Sequence, residues 1–277
     1  MHDRLSALLQ RFDLRARVIH SGALCGRAGF DGRGGAGHLH LVRRGPLRMT
    51  EPQGRRSIVT EPSVLFVPRP RAHQLDGGDG PGAEVVCASI DFGAGDENPL
   101  LHGLPPVLSV PLSQLPGLDL AQQLLFFEAQ AGRCGHDAVI DRLCEVLVIQ
   151  LLRHAIAHRL VDGGVMAGLA DARLAKAISA LHAQPAHGWS LDSMAALAGM
   201  SRARFAAHFT RTVGAPPGDY LTRWRVGLAR TLLRKGLPVK QVAAEVGYES
   251  PGAFGRVFLQ HVGATPTQWQ RSDQANV

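Results

Sequence analysis

Guanidinium groups set beside small side chains at helical spacing are the chemistry that stands out in this chain. Phe205 and Phe209 lie four residues apart and face a core, which leaves Ala203, Ala206, Ala207 and Thr210 on the opposite face, flanked by Arg202, Arg204 and Arg211. Small residues permit close approach to a DNA groove and contact with thymine methyls, but they cannot make bidentate hydrogen bonds to base edges. Arginines beside such a face reach phosphates, which positions a protein without reading sequence. A second stretch repeats the arrangement: Phe254 and Phe258 point inward, while Ser250, Gly252, Gly255 and Arg256 form the outward candidate surface. Arg256 is the candidate for hydrogen-bonding a guanine edge, with a phosphate contact as its alternative.

These faces belong to one pattern written twice. Gly199, Phe205, Phe209, Gly214, Pro217 and Tyr220 answer to Gly247, Phe254, Phe258, Gly263, Pro266 and Trp269, at constant spacing except for one residue inserted between Gly247 and Phe254. Each copy reads as a short helix, a tight Gly-containing turn and a second helix opening at a hydroxyl cap, Ser201 or Ser250, with Pro251 suited to the first helical turn. Two helices joined by such a turn are the helix-turn-helix of DNA-binding proteins. Between the copies, Tyr220 to Lys235 has Leu221, Trp224, Leu228, Leu232 and Leu233 inward and Arg223, Arg230 and Arg234 outward, and it stops at Gly236 with Pro238 beyond. Such a helix spans roughly 24 Å and can hold two recognition helices on one DNA face.

Charge segregates in the same direction. Of the 30 basic and 23 acidic residues, 17 of each lie at or before Asp162, whereas from Asp171 onward 13 basic residues face 6 acidic ones. An electroneutral first part and a basic last third imply a polyanionic partner, most simply double-stranded DNA. The segment from Met1 to Asp13 lacks the long apolar core of a secretory signal, and the best apolar run, Val146 to Leu152, is far too short for a membrane span. The expected location is the cytoplasm, without membrane partners. Four cysteines there read as thiols, metal ligands or redox sensors rather than a disulfide framework.

The 277 residues suit two domains. Val18 to Leu24, His38 to Arg43, Pro46 to Thr50, Ser57 to Val59, Ser63 to Val67 and Glu84 to Asp91 read as short strands between Gly- and Pro-containing turns, which argues for an antiparallel sandwich or barrel. Gly32 to Gly37 formally matches a phosphate-binding glycine pattern, but it opens a strand-like segment rather than a helix and reads as a loop. Helices are expected over Leu120 to Gln130 and Ala138 to Leu160. The second has too many apolar residues for one buried face, which predicts packing on the strands and on a second copy, with Leu147 and Leu151 in the dimer contact. His154 and His158, spaced as a metal pair could be, read instead as a solvated face beside Arg153 and Arg159. The expected division is a sensor and dimerisation domain over 1–162, a linker over 163–170 and a DNA-binding domain over 171–277.

From Leu174 through Arg271 the chain resembles the AraC/XylS family of bacterial transcription regulators, on Trp189 to Leu191, Ala196 to Ser201, Phe205 to Phe209, Val242 to Tyr248, Phe254, Phe258 and Gly263 to Pro266. The first part resembles that family's cupin-type sensor domain on His40 to Gly45, Phe66 to His73, Val86 and Cys87. Cys25 and Cys87 lie where the reactive-chlorine-sensing subgroup carries its sensing cysteines. The resemblance implies an α+β protein: an N-terminal antiparallel β-barrel with flanking helices, then an all-α domain of two helix-turn-helix units joined by a long helix. It also implies a non-enzymatic activator that works as a homodimer with RNA polymerase. Against better-known members, the alanines and glycines at reading positions are a departure that gives DNA shape a share of recognition.

The implied barrel interior would gather His40, His73, Cys25 and Cys87, and two imidazoles with two thiols are a tetrahedral zinc set. His38 shares a strand face with His40 and could replace either thiol. A metal or nearby cations would lower the thiol pKa, and oxidation of Cys25 or Cys87 would remove a ligand, release the metal or form a disulfide, shifting the sheet against the helices. In the competing readings Cys87 is a core residue, the histidines are satisfied within the barrel, and the effector is a small organic molecule. A cupin metalloenzyme with a basic appendage is the remaining alternative, and the absence of a Glu shortly after His40 counts against it.

Overall fold

Valine, leucine and phenylalanine between Gly- and Pro-rich breaks make strands of much of the chain up to Pro111. The computed structural model describes residues 4–275 except 12–13, 33–34, 93–97, 99, 102 and 116. It separates into two units, Phe12–Asp162 and a second made of Met1–Arg11 with Gly163–Val277.

In the first unit β1 (Arg15–Leu24), β2 (Arg27–Phe30), β3 (Gly37–Arg44), β4 (Leu47–Thr50), β5 (Arg56–Val59), β6 (Ser63–Val67), β7 (His73–Asp76), β8 (Ala83–Asp91) and β9 (Leu108–Pro111) form two antiparallel sheets. Their orders are β1-β8-β3-β6-β9 and β2-β7-β4-β5. Pairing among the described residues leaves two sheets rather than one closed barrel. Their shared core holds Val42, Leu47, Met49, Leu65, Leu75, Val85 and Cys87. The expected strands are present, and β2, β7 and β9 are additional, each four residues long. Arg33 and Gly34 of the glycine-rich segment, like Met1 to Asp3, Phe12 and Asp13 of the N-terminal segment, lie outside the described residues.

Helices α2 (Asp119–Ala131) and α3 (His136–Ala157) complete this unit. Strand β1 is a sheet edge, and α3 covers it: Val18 N–H donates to Asp141 Oδ1 at 2.8 Å and Ala16 N–H to Glu145 Oε1 at 3.3 Å. Carboxylates one helical turn apart thus satisfy alternate N–H groups that would otherwise template another strand. The apolar surplus of α3 is used inside the domain. Leu147 and Leu151, expected at a dimer contact, are both 0% exposed. The exposed apolar side chains are instead Leu120, Leu124 and Phe127 on α2 with Val139 and Val146 on α3. His154 is also buried, its ring stacked 4.0 Å from that of His158, so the pair is not the solvated face expected of it.

The second unit is helical: α1 (Ser6–Arg11), α4 (Gly164–Ala170), α5 (Leu174–Ala183), α6 (Leu191–Leu197), α7 (Arg202–Val213), α8 (Pro217–Arg234), α9 (Val239–Glu245), α10 (Pro251–Val262) and α11 (Pro266–Ala275). Residues 163–170, read as a linker, are mostly helix α4, with Val165, Met166 and Leu169 buried. Leu8 is fully buried, and Arg4 Nη1 donates to Leu169 O at 2.9 Å, so the N-terminal helix belongs to this unit rather than to the sheets.

The repeat has a packing counterpart. Phe209 meets Tyr220 edge-on at 5.5 Å, and the equivalent Phe258 meets Trp269 at 6.2 Å. Both recognition helices end at a left-handed glycine, Gly214 at φ 84° and Gly263 at φ 77°, a conformation other residues adopt at a cost. The caps differ: Ser250 Oγ accepts the Ala253 N–H at 3.2 Å, whereas Ser201 occupies the N-cap without a side-chain bond. No helix among the described residues is long and apolar enough to cross a membrane.

Candidate functional site

Burial of Phe205 and Phe209 turns the opposite face of α7 outward. Arg202, Ala203, Arg204, Ala207, Thr210 and Arg211 are exposed there, while Ala206 is half-buried. Arg202 stands 3.6 Å from Asp192, an exposed pair that constrains it little. Arg211 is more committed: Nη2 donates to His208 Nδ1 at 2.9 Å, and His208 Nε2 then donates to Asp171 Oδ2 at 2.8 Å. Burial alone would raise the Asp171 pKa, but the Leu174 N–H, His208 and the Arg173 N–H together hold this carboxyl below its ordinary range. On α10, Ser250, Gly252 and Arg256 are exposed and Gly255 is half-buried. Sequence reasoning missed Gln260, exposed one turn beyond Arg256 on the same face. Its signal was the four-residue spacing from Arg256 and a side chain able to pair bidentately with adenine. Helix α8, 18 residues long and so about 27 Å, separates the two surfaces.

The sheet unit carries a second cluster. The β3–β8 and β3–β6 registers place His40 opposite Cys87 and Leu65 on a core-facing row. Strand β7 brings His73 across from the other sheet, and the two Nε2 atoms stand 2.8 Å apart. His73 Nδ1 donates to Arg71 O at 2.8 Å, so its Nε2 is the acceptor and His40 Nε2 the donor. This tautomer leaves His40 Nδ1 as a buried acceptor, and it has no partner. His38 joins the cluster, with its ring 5.1 Å from that of His73, and the Phe30 ring stacks on His73 at 4.8 Å. Burial, with His73 and His38 nearby, holds His40 well below its ordinary pKa. His38 is lowered to about 4 by burial and His73 against the pull of Asp31. His73 is lowered by burial in spite of Arg71 O and Glu51. The cluster is therefore neutral near pH 7.

The cysteines do not join it as expected. Cys87 sits beside His40 but inside the apolar core, and burial pushes its thiol up to about 12, the reverse of activation. Cys25 is exposed just beyond Leu24, which pairs with Ala83, four residues along β8 from Cys87. That offset is about 13 Å, roughly twice the Cα separation a disulfide allows. No group of three or more His, Cys, Asp or Glu side chains among the described residues is arranged to hold a metal ion. His40, His73, Cys25 and Cys87 therefore do not fit a tetrahedral zinc ion: two of them converge, and they bond each other through a proton. A separate cavity of about 430 Å³ is lined by Pro52, Gln53, Arg69, Pro70, Arg71 and Pro106.

Two helix-turn-helix units joined by a common helix and presenting arginines on α7 and α10, together with a two-sheet domain, define a DNA-binding transcription regulator. The family described as Cupin matches residues 3–157, and the family described as Helix-turn-helix domain matches residues 194–272. The chain is 30% identical over 264 residues to an uncharacterised HTH-type transcriptional regulator of Haemophilus influenzae, covering 86% of this chain and 87% of that one. It is 28% identical over 246 residues to the RCS-specific HTH-type transcriptional activator RclR of Escherichia coli, covering 85% and 86%. The solved DNA-binding domain of AdpA, in complex with a target DNA, is 27% identical, covers 38% of this chain and 96% of that one, and gives a TM-score of 0.37. The protein belongs to the AraC/XylS family of transcription regulators, with a cupin-type N-terminal domain.

Proposed function

We propose that this regulator is a cytoplasmic, non-enzymatic activator that binds duplex DNA as a homodimer, engages RNA polymerase, and takes a small organic anion as effector in its sheet domain. The observation that carries the effector reading is the cavity beside Arg69 and Arg71. Prolines give it rigid apolar walls, and the Arg71 Nε is buried without a hydrogen-bond partner. Arg71 Nη2 already meets Glu51 Oε2 at 3.1 Å and donates to Gln53 Oε1 at 2.6 Å, so a ligand carboxylate would compete with these for the guanidinium while supplying the acceptor that Nε lacks. The Arg71 carbonyl already holds His73, so a ligand on Arg71 acts on the imidazole cluster through one residue. The dimer reading rests on the exposed apolar residues of α2 and α3, with Leu120 79% and Phe127 57% exposed.

A second reading is an oxidant effector, favoured by the likeness to the RCS-specific activator and by the exposed thiol of Cys25. A promoter reporter driven by the full chain separates the two, with wild type compared with Arg71→Ala and Cys25→Ser across a panel of organic acids and with hypochlorite. Zinc is measured by elemental analysis in the same preparations. A response to a carboxylate lost in Arg71→Ala supports the first reading. A response to hypochlorite alone, lost in Cys25→Ser, replaces it with the second.

A further inference from the structure

Arg225 lies on α8 beside Trp224, on neither the apolar stripe nor the exposed arginine face. Its Nε donates to Pro185 O at 2.8 Å and its Nη2 to His187 O at 2.9 Å. Both carbonyls belong to the loop that leads into α6. That loop is tied to itself, since the Trp189 indole donates to Gln184 O at 2.9 Å and its N–H to His187 O at 2.8 Å. It runs directly into a capping box, in which Ser190 and Ser193 each accept the other's backbone N–H. Moving the loop therefore moves the start of the first helix-turn-helix unit.

The same guanidinium reaches the second unit. Its Cζ stands 5.7 Å from the centroid of Tyr248, in the turn between α9 and α10. Tyr248 in turn packs at 5.6 Å on Phe254, the first fully buried residue of α10. The backbones also touch: a Cβ at Gly247 would come within 2.7 Å of Ala186 Cα and 2.9 Å of Arg225 Nη2. At φ 83° that position favours glycine twice over, by conformation and by space. Covalently the second unit hangs from α8 only through Lys235 to Pro238. The tie through Arg225 is a separate, non-covalent connection between the units.

We propose that Arg225 is a positioning residue that sets the rotational phase between the two recognition helices, so that the protein discriminates the spacing of the two halves of its DNA target. Recognition helices that read adjacent major-groove segments must match a helical repeat of about 10–10.5 base pairs, so each inserted base pair turns one half by roughly a tenth of a turn. A guanidinium fork gripping two carbonyls and covering a ring resists that turn. An ammonium, with one nitrogen, cannot hold all three contacts.

The test uses full-length protein and a duplex selected by the wild type from a random pool, with its two protected halves located by footprinting. Variants of this duplex carry one or two inserted base pairs between the halves, or one half alone. For wild type, one inserted pair is expected to cost about tenfold or more in affinity, as engagement of the second unit is lost. Arg225→Ala should lose less than about threefold on the same insertion and leave the single-half duplex within about twofold of wild type. Tyr248→Phe should behave as wild type, Tyr248→Leu as Arg225→Ala, and Arg225→Lys in between. If Arg225→Ala keeps the wild-type insertion penalty, or weakens the single half as much as the whole site, the proposal is overturned. Should that variant fail to fold, Arg225→Lys and Tyr248→Leu decide by the same ratio.

Discussion

His40 and His73, on strands of different sheets, face each other nitrogen to nitrogen at 2.8 Å, with a single proton between them. A proton added to either ring would leave an N–H at His40 Nδ1, which is buried without a partner, so charging the pair costs stability. Folded-state pKa values below the ordinary 6.5 mean that the unfolded chain takes up protons first as pH falls. The contribution of His38 is then fully present above about pH 6.5 and lost as pH drops toward 4, and those of His40 and His73 are likewise lost as pH falls below 6.5, with a slope of at most about 1.4 kcal/mol per pH unit for each imidazole. His154 acts in the same direction. Urea denaturation at pH 7.5 and 5.5 should show the midpoint falling in wild type and falling less in His40→Gln. Equal shifts in both would assign the pH dependence elsewhere.

Thiol reactivity should follow exposure. Cys25 and Cys134 are exposed, whereas burial pushes Cys87 and Cys144 to about 12, with Asp141, Cys87 and Glu145 adding to the effect at Cys144. Brief alkylation of native protein at pH 8, read by peptide mass, is expected to label the first two and to spare the others until denaturant is added. Early labelling of Cys87 would contradict its place in the core.

Arg256 and Arg202 should separate reading from positioning. Arg256→Ala is expected to cost about 1–3 kcal/mol on the selected duplex and to relax preference at one base position. Arg202→Ala should weaken all sequences alike and lower the salt slope by about one. Titrations at several salt concentrations on matched and scrambled duplexes measure both, and identical behaviour of the two variants would remove Arg256 from base readout.

Dimerisation should respond to α2 rather than to the interior of α3. Leu124→Glu with Phe127→Glu is expected to give folded monomers by sedimentation. Leu147→Glu places a charge where the residue is 0% exposed and should unfold the sheet unit instead. Wild-type protein that sediments as a monomer at micromolar concentration would end the dimer proposal.

The two serine caps make a local control. Ser250→Ala should cost about 1 kcal/mol in thermal or denaturant unfolding, because the Ala253 N–H loses its acceptor, whereas Ser201→Ala should cost a few tenths at most. Equal losses would mean that Ser201 caps its helix in solution.

Everything with a short period was legible in the residues themselves. The paired phenylalanines, the proline and glycine stops and the doubled spacing specify two helix-turn-helix units, because helical geometry couples residues three and four apart whatever surrounds them. The strands set between glycines and prolines were largely readable, whereas β2, with Arg27, Ala28 and Gly29, and β7, with His73, Gln74 and Asp76, carry too few apolar residues to stand out as strands. Contacts between distant segments were decided by the tertiary structure. Sequence placed His40 and His73 among the candidates, but only the cross-sheet approach gave them to each other, left Cys25 outside and sank Cys87 in the core. The apolar surplus of α3 looked like a second interface until β1 and the sheet consumed it. Arg225 gave no sign in the chain, since its partners lie 38 and 40 residues before it and 23 after, and Leu8 gave none of its burial in the helical unit. Local periodicity selects elements, but which faces meet depends on the free energy of the whole packed arrangement, and no window of sequence contains that sum.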